Sequence, residues 1–206
     1  MTSDVDSAAN AGFEFPMDML WDSHHYIELK VDSLEETLKV IPTTRQNALV
    51  LPHFDCGFAC WSFYTHMWTP DQNTPIGGEN AAEIDYEFFH YTMNRVEKCD
   101  LKGQYYPVKA CFANTTDSQC GEDLVAFGIK KSDPLWWPLA DGYMGLGAGS
   151  GYDNTHETSF LNQMHKNGMI DEKIFGIHTR MTNSTEDPTT IRFGGYNEEQ
   201  FKEGHD

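Results

Sequence analysis

Positive charge is scarce in this chain. Its 206 residues hold 14 Lys and Arg against 32 Asp and Glu, a formal net charge of −18. Small soluble domains usually carry a net charge of magnitude about 2–8. So acidic a surface repels nucleic-acid phosphates and anionic lipid, because no basic patch is present to displace their counterions. It reads first as a solvated acidic surface, and second as a docking face for a basic partner. Long apolar runs are also lacking, and none approaches the roughly 18 residues that a membrane-spanning helix needs. The opening MTSDVDSAANAGFEF has neither the positive start nor the apolar core of a secretory signal. The earliest basic residue is Lys30, which argues against an ordinary mitochondrial presequence. A serine nucleophile turn is missing too: Gly147–Tyr152, GAGSGY, lacks the Gly-x-Ser-x-Gly register leading into a helix. No internal repeat is present.

What is there supports a folded protein. Apolar residues make up 39% and aromatics 13%, and the length suits one domain with tails. Segment 1–23 reads as an N-terminal tail whose Phe13, Phe15, Met17, Met19, Leu20 and Trp21 pack on a partner or on the chain itself. A domain follows over 24–197, and 198–206 is an acidic tail. Tyr26–Val31 alternates like a half-buried strand, and Leu38–Ile41, Ala48–Leu51 and Ile84–Met93 read as further strands. Asp100–Gly103, DLKG, is a hairpin turn signal with Tyr105–Ala113 as the return strand. Ser159–Asn167 is a helix with Phe160, Leu161 and Met164 as its apolar stripe, stopped by Gly168. Ile174–Thr179 and Thr190–Phe193 close the pattern.

Candidate chemistry is thin. His24 and His25 with Asp22, joined by His53 and Asp55, could be metal ligands, but scattered histidines are more often surface or capping groups. No metal and no cofactor is expected. Five cysteines leave an odd thiol if two bridges form. Disulfides imply an oxidising compartment. Asn114-Thr115-Thr116 and Asn183-Ser184-Thr185 fit the glycosylation sequon but read as ordinary loop residues. The pair Trp136-Trp137 reads as core, with an exposed interface pair as the alternative.

Tyr26 to Pro52 ends in KVIPTTRQNALVLP, and Cys56 and Cys60 bracket the loop CGFAC ahead of Trp68-Thr69-Pro70. Glu83-Ile84-Asp85-Tyr86 comes next, then Asp141-Gly142-Tyr143-Met144-Gly145-Leu146-Gly147, and Arg192-Phe193-Gly194-Gly195 near the end. Taken in order, these segments resemble the N-terminal lobe of a pepsin-like aspartic protease. The resemblance implies a mostly β fold, a single pepsin-like lobe of barrel or sandwich form with one or two short helices. It implies a disulfide between Cys56 and Cys60, places Tyr86 on the flap tyrosine, and makes Asp141 a structural aspartate. Cys99, Cys111 and Cys120 cluster around one expected hairpin, their pairing left open.

In that family two carboxylates share one proton, one acting as base toward water. The resemblance puts Thr43 at the aspartate, with Thr44 next and Arg45 in place of the glycine. After Tyr86 the chain has Glu87-Phe88-Phe89-His90 where the family has a glycine-rich flap tip. The resulting expectation is no enzyme: a degenerate lobe without its second half, serving as a structural or interaction subunit of a larger assembly. Phe13, Phe15, Trp21, Trp136 and Trp137 are the candidate interface residues, with protein partners covering the missing-lobe face. An alternative is a peptide-binding or inhibitor-like module whose groove is lined by Tyr86, Phe88, Phe89 and Tyr91. A protease lobe completed in trans is a third reading. An organellar complex, mitochondrial, is the expected location, with a secretory lumen as the alternative.

Overall fold

Strands buried on both faces read as short continuous apolar runs, and those that alternate show only one face to the core. The chain uses both. The computed structural model describes residues 12–20, 24–60, 66–92, 95–113, 119–133, 140–147, 158–179 and 189–195, with backbone alone for 59, 86–92 and 95–99. The fold is mostly β, as expected. Its strands are β1 (Phe13–Pro16), β2 (Asp18–Met19), β3 (His25–Val31), β4 (Leu38–Thr43), β5 (Leu49–Pro52) and β6 (Ile84–Thr92). They continue with β7 (Arg95–Phe112), β8 (Cys120–Asp133), β9 (Gly142–Gly145), β10 (Phe175–His178) and β11 (Thr190–Phe193). Among the described residues a 3-10 helix spans Phe54–Ala59 and an α-helix, α1, spans Phe160–Lys166.

Eight strands form one sheet in the order β2-β3-β4-β9-β5-β8-β7-β6, and a further pairing of β3 with β7 curls it back on itself. β4 runs parallel to β9, and β5 parallel to β8; β9 lies antiparallel to β5. A second sheet of three strands has the order β1-β11-β10.

Side-chain alternation along β4 and β5 feeds two cores. Val40, Leu49 and Leu51 join Trp68, Phe160 and Phe193 in one, while Ile41, Ala48 and Val50 join Leu101, Tyr105 and Phe127 in the other. Each such side chain contributes about 1.5–3 kcal/mol when fully buried. α1 closes the first core with Phe160, Leu161 and Met164. Ser159 caps its N-terminus by accepting from Asn162 N–H, and Gly168 follows its end at φ 68°, a left-handed stop that only glycine takes cheaply.

One element differs from the sequence pattern. The hairpin turn expected at Asp100–Gly103 is not formed: β7 runs straight through these residues, and β6 pairs with it from Ile84 opposite Gly103 to Thr92 opposite Arg95. Gly103 is there for close approach, since a Cβ on it would collide with the Gly128 carbonyl of β8, and the ladder shifts register at this point. Part of segment 1–23 is built into the sheets, with Phe13 to Pro16 paired to Phe193 to Thr190 and Asp18 opposite Tyr26.

Two disulfides tie the loops. Cys56–Cys60 closes the 3-10 helix with a Cα–Cα distance of 5.5 Å. Cys111–Cys120, Cα–Cα 4.0 Å, bridges directly opposed residues of β7 and β8 and resolves the pairing that the sequence left open. The side chain of Cys99 lies outside the described residues. No helix among the described residues is long and apolar enough to cross a membrane.

Gly145→Ala tests a close contact at the β9 crossing, where an added Cβ would sit 2.5 Å from Ala48 N and Asn47 C. Urea unfolding should show a loss of about 1–3 kcal/mol or more, the cost of overpacking a fixed backbone. A wild-type midpoint would remove the contact from any account of this fold.

Candidate functional site

The site expected from the sequence lies where β9 slots between β4 and β5. Chain 44–48 leaves β4 and returns as β5 around the end of β9. Backbone bonds sew it shut: Leu146 N donates to Thr43 O at 2.8 Å, Gly147 N to Gln46 O at 2.6 Å, and Gly145 N to Ala48 O at 2.9 Å. Phe160 N at the start of α1 donates to Asn47 O at 2.7 Å. Gln46 and Asn47 are buried there. Cβ atoms on Gly145 or Gly147 would meet the backbone of 44–48, so the Gly-Leu-Gly spacing is a steric requirement of the crossing.

Thr43 ends β4 opposite Gly145, half-buried, and its Oγ1 accepts from Arg45 N at 3.2 Å. Thr44 and Arg45 are exposed at the tip. Tyr86 lies in β6 opposite Leu101 of β7, and β6 continues as a strand through Glu87–His90. The side chains of Tyr86, Phe88, Phe89 and Tyr91 lie outside the described residues.

Two aspartates, one buried and one half-buried, brace this region. Asp141, fully buried just before β9, accepts from Lys39 N at 2.7 Å and from His66 N at 2.5 Å, and its own N–H donates to Lys39 O at 2.8 Å. His66 Nδ1 lies 3.0 Å from the same carboxylate and Nε2 lies 2.7 Å from exposed Glu36. Burial pushes the Asp141 carboxyl above its ordinary range, while the donors at His66 and Lys39 pull it down. Asp32 follows β3 at φ 52° and accepts from Trp68 Nε1 at 3.0 Å and Lys109 N at 2.9 Å. Burial raises it too, against those same donors. The sequence pointed to Asp141 through its glycine motif; Asp32 and His66 carry no local signature.

Of the histidines read as possible ligands, His53 does other work. His53 is buried, stacks on Tyr106 at 5.1 Å and caps the 3-10 helix by accepting from Asp55 N at 3.0 Å. Burial lowers its pKa, against the raising effect of Asp55. Asp22 lies outside the described residues, among which no group of three His, Cys, Asp or Glu could hold a metal. Of the expected interface residues, Phe13 and Phe15 pack within the chain: Phe15 stacks on Phe112 at 4.5 Å, and Phe13 meets Phe112 and Phe193 edge-on or tilted. Trp21, Trp136, Trp137 and both sequons lie outside the described residues.

No protein-family model matches the chain. Two curated proteins do. A probable vacuolar protease A of Trichophyton verrucosum is 24% identical over 200 residues, covering 94% of this chain and 45% of its own length. The probable vacuolar protease A of Arthroderma benhamiae is 24% identical over 194 residues, covering 93% of this chain and 44% of its own. The chain is distantly similar to pepsin-like aspartic proteases. It spans a little under half the length of these relatives.

These matches correct one expectation. The chain was expected to be no enzyme, yet both relatives are named as proteases. The placement of Thr43 on a catalytic aspartate rests on the sequence resemblance alone.

Asp141 supplies a pH test. Its carboxyl is raised on folding from an ordinary 3.8, so the folded state holds its proton longer than the unfolded chain does. Its share of stability therefore falls as pH rises from 3.8 through the folded value and is level beyond. Thermal midpoints measured against pH should show a shallower fall across that window in Asp141→Asn. Asp141→Ala should lose about 1–3 kcal/mol for each backbone donor left without an acceptor. Unchanged curves would mean that Asp141 does not brace β4 against β9.

Proposed function

We propose that this chain is a pepsin-like lobe acting as a structural or interaction subunit, its three-stranded sheet covered by a protein partner. One observation carries the reading. β10 is the outer strand of that sheet among the described residues, and Ile177 on it is 45% exposed, with Ile174 just before it 36% exposed. An outer strand with exposed isoleucines is a ready template for pairing or apolar contact with another protein surface. The distant similarity to relatives about twice this length supports a lobe with a counterpart. The two disulfides favour an oxidising compartment for the assembly.

Native-gel separation of the endogenous protein, with mass spectrometry of whatever co-migrates, tests this directly. A band of higher mass with a fixed partner set, shifted to the free chain by Ile177→Asp, is the expected result. Migration at 23.4 kDa would sink the reading.

The names of the relatives favour a second reading, an aspartic protease lobe completed by another lobe. Under it, the assembly isolated from the same gel cleaves acid-denatured protein, and pepstatin abolishes the cleavage. No pepstatin-sensitive cleavage from the intact assembly would end this reading.

A further inference from the structure

His53 joins β5 to the disulfide-closed 3-10 turn, and its ring is only 2% exposed. Tyr106 of β7 stacks on it at 5.1 Å, and Trp68 meets it edge-on at 6.1 Å. Nδ1 accepts from Asp55 N at 3.0 Å, so the neutral ring carries its proton on Nε2. The Asp55 carboxylate stands 3.5 Å from the same Nδ1 and 3.5 Å from Nζ of Lys130 on β8. One residue thus offers Nδ1 both a donor, its amide, and an acceptor, its carboxylate.

The base of the turn is fixed by other bonds. His53 N donates to Ile129 O at 3.0 Å, Phe54 N to Trp68 O at 2.8 Å and Cys56 N to His53 O at 2.9 Å. Above the base the path bends at Gly57, at φ 54° and ψ −138°, with open space among the described residues where a Cβ would stand. The turn carries Phe54 and Phe58, 67% and 71% exposed. The Cys56–Cys60 bond confines any change to these few residues.

We propose that His53 is a pH switch: on protonation its ring gives up the Asp55 amide, donates to the Asp55 carboxylate instead, and uncaps the 3-10 turn. The proton comes from water and occupies the Nδ1 lone pair that the amide had used, so the two bonds exclude one another. Asp55 N then turns to solvent, and its carboxylate is drawn from Lys130 towards the ring. The surroundings set where this happens. Burial lowers the pKa of His53; Asp55 raises it, Lys130 lowers it and Asn73 raises it, with a net lowering from 6.5. Tyr106 and Trp68 face the ring as neutral groups. The folded ring therefore takes its proton less readily than the unfolded chain does. Its share of stability is whole above 6.5 and is lost as pH falls from there to the folded value. The switch is independent of the partner assigned to the three-stranded sheet.

NMR titration of the full chain tests it. The His53 ring should titrate with a midpoint below 6.5. Through the same midpoint the protection factor of the Asp55 amide should fall about tenfold, as for one lost hydrogen bond. The Phe54 amide, held by Trp68 O, should keep its protection. His53→Asn retains an acceptor at the cap and cannot titrate, so its Asp55 amide should stay protected across this range. Asp55→Asn and Lys130→Met leave the ring in place and act through charge: the first should move the His53 midpoint down, the second up. Thermal midpoints measured above this range establish that each variant is folded. A His53 midpoint at or above 6.5, or Asp55 protection that does not follow it, would overturn the proposal. The same fall in His53→Asn would overturn it too. Loss of protection at Asp55 and Phe54 together would replace it with general acid unfolding.

Discussion

Everything in this fold leans on the insertion of β9 between β4 and β5. β9 pairs in parallel with β4 and antiparallel with β5, and at three glycines an added Cβ would collide with the neighbouring chain. Gly142 meets Val50 O, Gly145 meets Ala48 and Asn47, and Gly147 meets Thr44 and Gln46. The turn 44–48 is thus held from inside by backbone contacts and from outside by the start of α1 through Phe160 N–H on Asn47 O. Whatever function the tip at Thr44 and Arg45 serves, its position is dictated by glycine spacing in and after the adjacent strand β9.

The surrounding supports are polar and wholly or partly shielded from water, which suits a sheet that must bend back on itself. Asp141 ties β4 to the start of β9 and reaches His66, while Asp32 ties the end of β3 to Trp68 and to Lys109 of β7. Both carboxylates sit among several donors, so each junction is satisfied although burial disfavours the charge. Disulfides at Cys56–Cys60 and Cys111–Cys120 restrain the two loops that these aspartates do not reach.

The functional reading follows from what the cores leave outside. Phe13 and Phe15, which could have served a partner, are spent on Phe112 and Phe193. Ile174 and Ile177 remain exposed at β10, an outer strand among the described residues. The distant similarity to proteases keeps cleavage within reach of the same lobe, and the two readings differ in what the partner brings: cover alone, or the rest of an active site.

Elements with a strong local code were legible in the chain. The helix, read over 159–167 and formed at 160–166, was marked by its apolar stripe and Gly168 stop, and Thr190–Phe193 was read as a closing strand; Cys56 and Cys60 were paired by resemblance. Asp100–Gly103 misled, because a glycine that allows backbone contact with Gly128 has the same local signature as one that allows a turn. The partners of Asp32, the His66 link between Asp141 and Glu36, and the bond between Cys111 and Cys120 were not legible in this way. The sequence by itself determined the strand-rich composition, the acidic surface, the helix and the family likeness, since these depend on residue type and short spacing. Only the tertiary structure decided which polar groups share a buried junction and which isoleucines stay outside, because those contacts join residues tens of positions apart whose pairing no local pattern encodes.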